Sequence, residues 1–198
     1  MTFAIIAIWF VLTLLLNIAG VFEARADQAP IALGLSVVGP PILFGALYLY
    51  SNGFRSLVLA LDLKLLTAIQ AWRFAGVMFL VLYFYNMLPG TFAWPAGVGD
   101  IVVGAYAPFV VVAIANGSPS WHFHAVAFNI LGLIDIVGAI GSDVLSGGTP
   151  FGILTGPGEV TSDIMQSLPL ALIPTFFVPL FIVLHIISLI KLRKGTEG

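Results

Sequence analysis

The sequence predicts an all-α fold, a polytopic membrane helix bundle of about six transmembrane helices. Only 16 of its 198 residues are Asp, Glu, Lys or Arg, whereas 60% are hydrophobic, and the mean hydropathy is +1.12. A soluble domain has roughly 25% charged residues, so this chain is expected to be solvated by lipid. The apolar residues also come in runs of about 20, the length that a helix needs to cross a bilayer.

Six apolar runs are the predicted spans, and together they form one transmembrane domain over residues 1–198. They lie at residues 2–20, 31–50, 68–88, 96–115, 121–142 and 168–190. The polar-dotted segment 54–66 is expected to lie along the membrane interface or to project beyond it. One helix over 54–88 would be ~52 Å long, which exceeds a hydrocarbon core of ~30 Å.

The first run is open to a second interpretation. Ala24-Arg25-Ala26 resembles a signal-peptidase site after an apolar stretch, which would make residues 1–26 a signal peptide. Against cleavage, no Lys or Arg precedes the run, and the run is longer than a usual signal core. We therefore expect a retained first helix.

The cations predict the orientation. Arg55 and Lys64 follow the second span, and Lys191, Arg193 and Lys194 follow the last. With six spans all five share one side, which the positive-inside rule assigns to the cytoplasm. The opposite side has one cation, Arg25, and five acidic residues: Glu23, Asp27, Asp143, Glu159 and Asp163. Both termini are therefore predicted to be cytoplasmic.

The longest connection, residues 143–167, is predicted on the outside. Connections of this length are often functional lids, although a plain acidic solvated loop is the alternative. Within it, Thr161-Ser162-Asp163 has the residue types that cap a short helix before the sixth span.

Arg73, His124 and His185 are predicted to share one shallow layer on the cytoplasmic side of three spans. Arg73 lies six residues past Thr67, ~9 Å into the third span at 1.5 Å per residue, and His185 lies six residues before Lys191. A haem b group can be held by two His from different helices. His185 with His124 or His122 would be the axial ligands, and Arg73 would bind a propionate. An Arg that snorkels and His rings bonded to carbonyls are the structural alternative.

Asp135 is the carboxylate hardest to explain without a role, because it lies deep in the fifth span. At 100° per residue it shares one helix face with His124 and Ser142, whereas His122 and Asn129 share another. A carboxylate at that depth is protonated or finds a donor. It is thus predicted either to move protons or to fasten two helices together.

Asp100 is predicted near the outside surface, just after Pro95-Ala-Gly-Val-Gly99. A proline at a helix start leaves unpaired amides that Asp100 or an anion could engage. The alternative is packing, because Gly97 and Gly104 permit close contact with a neighbouring helix.

Several function classes are excluded. The chain has no cysteine and a net charge of −2, so thiolate metal sites and general attraction to nucleic acid are not expected. No Gly-rich phosphate loop, His-Glu-x-x-His zinc site or Gly-x-Ser-x-Gly elbow occurs. The expected partner is the lipid bilayer, with a homo-oligomer or a larger membrane complex as an open alternative.

Five segments together resemble a group of small bacterial inner-membrane proteins without an assigned activity. They are Gln70-Ala-Trp-Arg73, Leu88-Pro-Gly90, Pro95-Ala-Gly-Val-Gly-Asp100, Asn129-Ile-Leu-Gly-Leu-Ile-Asp135 and Leu184-His185. The resemblance covers about residues 70–194. It implies a six-helix bundle in the bacterial inner membrane and carries no catalytic residue over.

Three functions remain open on the sequence. One is a b-type haem protein that transfers electrons. The second is a proton-coupled carrier or receptor for a small solute, in which Asp135 takes the proton, Asp100 lies at the entrance and His124 completes a relay. The third is a noncatalytic subunit or assembly factor whose polar residues, among them Asn129 and Ser142, only join helices.

Overall fold

The computed structural model describes residues 2–24 and 28–195, and over these residues the chain is helical with no strand. The α-helices are α1 (Thr2–Ile18), α2 (Ile31–Tyr50), α3 (Asn52–Ala60), α4 (Leu63–Ile69), α5 (Val77–Phe84), α6 (Gly90–Ala115), α7 (Trp121–Ser146) and α8 (Val178–Gly195). A 3₁₀ helix, Gln70–Gly76, joins α4 to α5, a second follows at Ser162–Gln166, and a π-helix, Ile173–Phe177, leads into α8.

Five helical segments of the described residues are long and apolar enough to cross a membrane. They are Ile31–Tyr50, Leu63–Phe84, Gly90–Ala115, Trp121–Ser146 and Ile173–Lys194, with Ala4–Ile18 as a shorter apolar helix. Large apolar side chains point outward along them, and Phe109 is 72% exposed. A water-soluble protein would bury these residues, so the predicted membrane helix bundle is confirmed. Five of the six predicted spans have the length and hydropathy of a membrane span, and the first is the shorter helix.

Two spans begin earlier than the sequence predicted. The third starts at Leu63, not residue 68, because Asp62 caps α4 by accepting a hydrogen bond from the Lys64 amide at 2.7 Å. The fourth starts at Gly90, not residue 96, so Pro95 lies inside α6 and not at its beginning. The prediction that Pro95 opens a helix with unpaired amides is therefore wrong.

The helix α3 is separate from the third span, but the segment 54–66 that was predicted outside that span is shortened, because residues 63–66 belong to α4. Ser51 caps its first turn by accepting from the Phe54 amide at 3.3 Å. Its last turn ends at Leu61, which has an extended backbone. Arg55 donates to the carbonyls of Tyr48 and Leu49 at 3.2 and 3.0 Å, which ties α3 to the end of α2.

Glycines bring α6 against the third span at very short range. A Cβ atom at Gly104 would overlap the backbone of Phe74, and one at Gly97 would lie 3.0 Å from Leu80 Cγ. The overlap with backbone means that position 104 requires glycine, whereas a larger residue at position 97 would require Leu80 to shift. The packing role predicted for Gly97 and Gly104 is confirmed.

Hydrogen bonds between distant residues show which helix ends lie at the same end of the bundle. At one end, Lys191 Nζ on α8 donates to the Leu59 carbonyl at the end of α3. At the other, Thr91 and Ser146 form a 2.7 Å hydrogen bond between the start of α6 and the end of α7. The spans α6 and α7 therefore run in opposite directions, as do the third span and α8.

The connection after α7 folds back on itself. Asp163 accepts from the Gly148 amide at 2.8 Å and from the Thr161 hydroxyl at 2.9 Å. Ser162 donates to the Asp143 carbonyl at 2.9 Å. The predicted short helix is present at Ser162–Gln166, but the Thr161 side chain does not cap it. Arg25 and Asp27, predicted on this side, lie outside the described residues.

Candidate functional site

Arg73 is the centre of the largest polar cluster described in the bundle. It lies in the 3₁₀ segment Gln70–Gly76 and is only 3% exposed. Arg73 is the eleventh of the 22 residues of Leu63–Phe84, so it lies at the middle of the span. An Arg at this depth requires partners for its charge.

The guanidinium of Arg73 binds two carboxylates from two other helices. Its Nε donates to Asp100 Oδ1 on α6 at 2.7 Å, and its Nη2 donates to Asp135 Oδ2 on α7. Nη1 donates to the Gly132 carbonyl at 3.1 Å. The Phe181 ring of α8 lies 5.9 Å from the guanidinium carbon, where the cation is attracted to the ring.

His185 extends the cluster to α8 and has no exposed surface. Its Nε2 lies 3.3 Å from Arg73 Nη1, and its Nδ1 lies 2.8 Å from Asn129 Oδ1. A guanidinium has no acceptor, so Nε2 accepts and Nδ1–H donates to Asn129. Asn129 in turn donates to the Ala125 carbonyl at 2.7 Å. The ring is thereby held as one neutral tautomer.

Glycines make room for these side chains. A Cβ at Gly99 would overlap the Asp135 carboxylate, one at Gly76 would overlap the Asp100 side chain, and one at Gly132 would overlap the His185 ring. Three glycines on three spans therefore permit the approach that the polar contacts require. The five polar residues Arg73, Asp100, Asn129, Asp135 and His185 are called the Arg73 cluster below.

The charges of the Arg73 cluster do not balance. It contains one guanidinium, two carboxyl groups and a neutral imidazole, so full ionisation leaves one negative charge. The Arg73 side chain is 1% exposed, whereas those of Asp100 and Asp135 are 21% and 13% exposed. The carboxyl groups are thus the part of the cluster that is accessible from outside the bundle.

The depths predicted for three of these residues are wrong. Asp100, predicted near the outside surface, and Arg73, predicted in a shallow cytoplasmic layer, are in direct contact. The error follows from the span ends: Leu63 and Gly90 begin the third and fourth spans earlier than predicted, which moves both side chains toward the middle. His185 is likewise the thirteenth of the 22 residues of Ile173–Lys194.

The other predicted site residues lie apart from the cluster. His124 is the fourth residue of α7, and its Nδ1 pairs with the Tyr106 hydroxyl at 2.7 Å. His122 Nε2 donates to the Leu192 carbonyl at 3.4 Å. Ser142 donates to the Ala139 carbonyl on its own helix at 3.0 Å. His124, Asp135 and Ser142 were predicted to share one face of α7, but each of them makes a separate contact.

The haem b prediction gains no support from these contacts. Both ring nitrogens of His185 are already paired, and the Arg73 fork is occupied by carboxylates of the chain itself. His124 and His122 have partners of their own. Axial ligation would require these rings to exchange their partners.

Gln70 belongs to the same region and was not predicted as a site residue. It is 1% exposed and donates from Nε2 to the Phe181 carbonyl at 3.3 Å. Its Oε1 has no hydrogen-bond partner among the described residues. Gln70 and Arg73 are three residues apart on one helical segment. This spacing was the sequence signal that could have predicted Gln70 as a site residue.

Two cavities open at opposite ends of the bundle. One, of about 580 Å³, is lined by residues from α3, α4, α7 and α8. The other, of about 410 Å³, lies between the start of α6 and the loop at residues 154–160. Neither is lined by a member of the Arg73 cluster.

Comparison with known proteins gives a family without a function. No curated protein and no solved structure matches the chain. A family model described as a domain of unknown function (DUF8737) matches residues 30–193, a range that contains the whole Arg73 cluster. The chain belongs to the family of domains of unknown function DUF8737.

Proposed function

We propose that this protein is a proton-coupled membrane carrier or receptor for a small solute, and that the Arg73 cluster binds the proton. The observation that carries the proposal is the pairing of one buried guanidinium with two carboxyl groups from different helices at mid-span. One proton would neutralise the surplus negative charge. Ionisable residues inside a membrane are costly and commonly mark proton or substrate pathways.

Proton binding would change the packing of the helices. Protonation of Asp135 removes the charge that attracts Arg73, so the link between α7 and the third span weakens. Arg73 keeps the Asp100 contact at 2.7 Å, so α6 stays attached. A single proton would thus break or restore the ion pair between Arg73 and α7 while α6 stays attached, which is the two-state behaviour that coupling requires.

A second candidate is a noncatalytic membrane subunit in which the cluster only fastens helices. It is favoured by the number of hydrogen bonds that Arg73 donates within the chain. The acceptors are Asp100, Asp135, the Gly132 carbonyl and His185. The two candidates differ in whether the carboxyl groups exchange a proton under physiological conditions.

Infrared difference spectra of the detergent-purified protein between pH 5 and pH 9 distinguish them. The proton-coupled function predicts a carboxylic-acid band that rises as the pH falls and is weaker in Asp135→Asn. The matched control is Asp62→Asn, which alters an exposed helix cap and should leave the band unchanged. A spectrum of the wild type that Asp135→Asn and Asp100→Asn do not alter would refute proton binding at the cluster.

We further propose that both termini face the cytoplasm of a bacterial inner membrane, as the cation distribution predicts. The haem prediction keeps its own test, a Soret band in the visible spectrum of protein from haem-replete cells that is lost in His185→Ala.

A further inference from the structure

The larger of the two cavities combines apolar walls with cations. It has a volume of about 580 Å³ and is lined by Leu59, Leu63, Trp121, His122, Lys191 and Lys194, together with Leu192. The six named first are called the lysine groove below. Three parts of the chain meet here: the α3–α4 junction, the start of α7 and the end of α8.

The walls of the lysine groove are fixed by contacts between these parts. Lys191 Nζ donates to the Leu59 carbonyl, and His122 Nε2 donates to the Leu192 carbonyl at 3.4 Å. These bonds join α8 to α3 and to α7, so the groove is a built gap between helices and not a space beside one flexible side chain. Lys194 is exposed at its rim.

The position of the groove indicates what reaches it. It lies where three apolar helices end, and Trp121 is half-buried in its wall. Tryptophan is enriched at the level of lipid head groups, and basic pockets between transmembrane helices bind anionic head groups. The leucines and the tryptophan provide an apolar surface beside the two lysines, which matches a molecule with an anionic head and an apolar tail.

We propose that the lysine groove binds an anionic phospholipid. The ammonium groups of Lys191 and Lys194 hold the phosphate, and Leu59, Leu63 and Trp121 contact the glycerol region and the first methylenes of an acyl chain. The lipid would bridge α4, α7 and α8 at the end of the bundle. This site is independent of the proton-binding proposal, because it shares no residue with the Arg73 cluster.

Native mass spectrometry of protein purified with an equimolar mixture of phosphatidylglycerol and phosphatidylcholine tests the site. Wild-type protein should retain phosphatidylglycerol preferentially. Each lysine near an anionic lipid surface raises the affinity by about fivefold. Lys194→Gln should therefore weaken retention by about fivefold, and the double variant with Lys191→Gln by more.

The matched control is Lys64→Gln, which removes an exposed cation that does not line the groove and should retain the lipid as wild type does. Because Lys191 also bonds α3, Lys194→Gln decides the result alone if the double variant fails to fold. Equal retention by Lys194→Gln and wild type would overturn the proposal, as would equal retention of phosphatidylcholine. Inorganic phosphate that displaces the lipid completely would show an anion site without lipid specificity and would also overturn it.

Discussion

Arg73 on the third span and Asp135 on the fifth form an ion pair, although 62 positions separate them in the sequence. The pair lies between helices that each cross the bilayer, and the Arg73 and Asp135 side chains are only 1% and 13% exposed. Removing one member of a buried ion pair therefore costs more than the pair itself contributes, because the other charge is left behind.

Arg73→Gln tests this relationship. It leaves two carboxyl groups without their cation, and we expect the free energy of unfolding in detergent to fall by about 3–5 kcal/mol at neutral pH. The loss should shrink as the pH falls, since protonation removes the uncompensated negative charges. Thermal or denaturant unfolding at several pH values measures both effects.

Arg73→Lys is the matched variant, because it keeps the charge and loses the planar fork that reaches Asp100 and Asp135 together. Its stability should lie between those of wild type and Arg73→Gln. If Arg73→Gln were as stable as wild type at every pH, the ion pair would have no structural role.

Two substitutions of Asp135 test its role in joining helices. Asp135→Asn keeps the size and hydrogen-bonding capacity of the side chain, and Asp100 still compensates the charge of Arg73, so we expect nearly wild-type stability. Asp135→Leu should lose roughly 1–2 kcal/mol, the scale of an interhelical hydrogen bond in a membrane. Unfolding curves of the two variants give the comparison, and a larger loss in Asp135→Asn than in Asp135→Leu would contradict it.

Substitution of the glycines beside the Arg73 cluster should destabilise the protein, because any side chain there overlaps a neighbour. In Gly132→Ala the new Cβ meets the His185 ring, and in Gly99→Ala it meets the Asp135 carboxylate. Each should lower the free energy of unfolding by about 1–3 kcal/mol, the usual cost of overpacking. Chemical or thermal unfolding of the purified variants measures this.

Gly138→Ala is the control on the same helix, since nothing lies within 4 Å of its Cβ position. It should leave stability unchanged or raise it by up to about 1 kcal/mol, because alanine favours helix. A destabilisation in Gly138→Ala equal to that in Gly132→Ala would mean that the contact with His185 does not explain the loss, because Gly138 has no neighbour to overlap.

The sequence predicted that Arg73 and His185 share a layer and that Asp135 is unusual, but not that Asp135 belongs with them. Charge and hydropathy identify a polar residue in an apolar run, and helical periodicity relates Asp135 only to residues of its own helix, such as His124 and Ser142. Its actual partner lies on another helix, and the relative shift of two packed helices depends on side-chain contacts. Gly99 and Gly132 leave room for the Asp135 and His185 side chains here, and a glycine in a sequence does not reveal which side chain approaches it.

The remaining errors of the prediction come from the positions at which the spans were expected to begin. Placing the start of the fourth span at residue 96 put Asp100 near the surface, whereas α6 begins at Gly90. Pro95 inside the helix was the misleading signal, because a proline is favoured in the first turn but is also tolerated in transmembrane helices.

The orientation is tested by reporter fusions at Gly198 and near Gly156. The predicted topology puts these sites on opposite sides of the membrane, so a reporter active only in the cytoplasm should give a signal at the first and not at the second. The connection that contains Gly156 follows α7, whose end is bonded to the start of α6 through Ser146 and Thr91. Equal signals at the two sites would refute the topology.

The last prediction concerns the proton on His185. Its Nε2 faces Arg73 Nη1 at 3.3 Å, and a guanidinium can only donate. Nδ1 therefore carries the proton and donates to Asn129 Oδ1 at 2.8 Å. A ¹⁵N spectrum of histidine-labelled protein at neutral pH should show one nitrogen protonated and one bare for His185. The signal is assigned by its absence in His185→Gln.

Asn129→Ala tests the hydrogen bond that His185 donates to Asn129. It removes the acceptor of Nδ1–H but leaves Arg73 in place, so His185 should stay neutral while its proton loses a fixed partner and the signals broaden or shift. His124, which pairs with Tyr106, is the internal reference and should not change. A doubly protonated His185 in the wild type would contradict the arrangement, because a second cation would then face Arg73 without an acceptor between them.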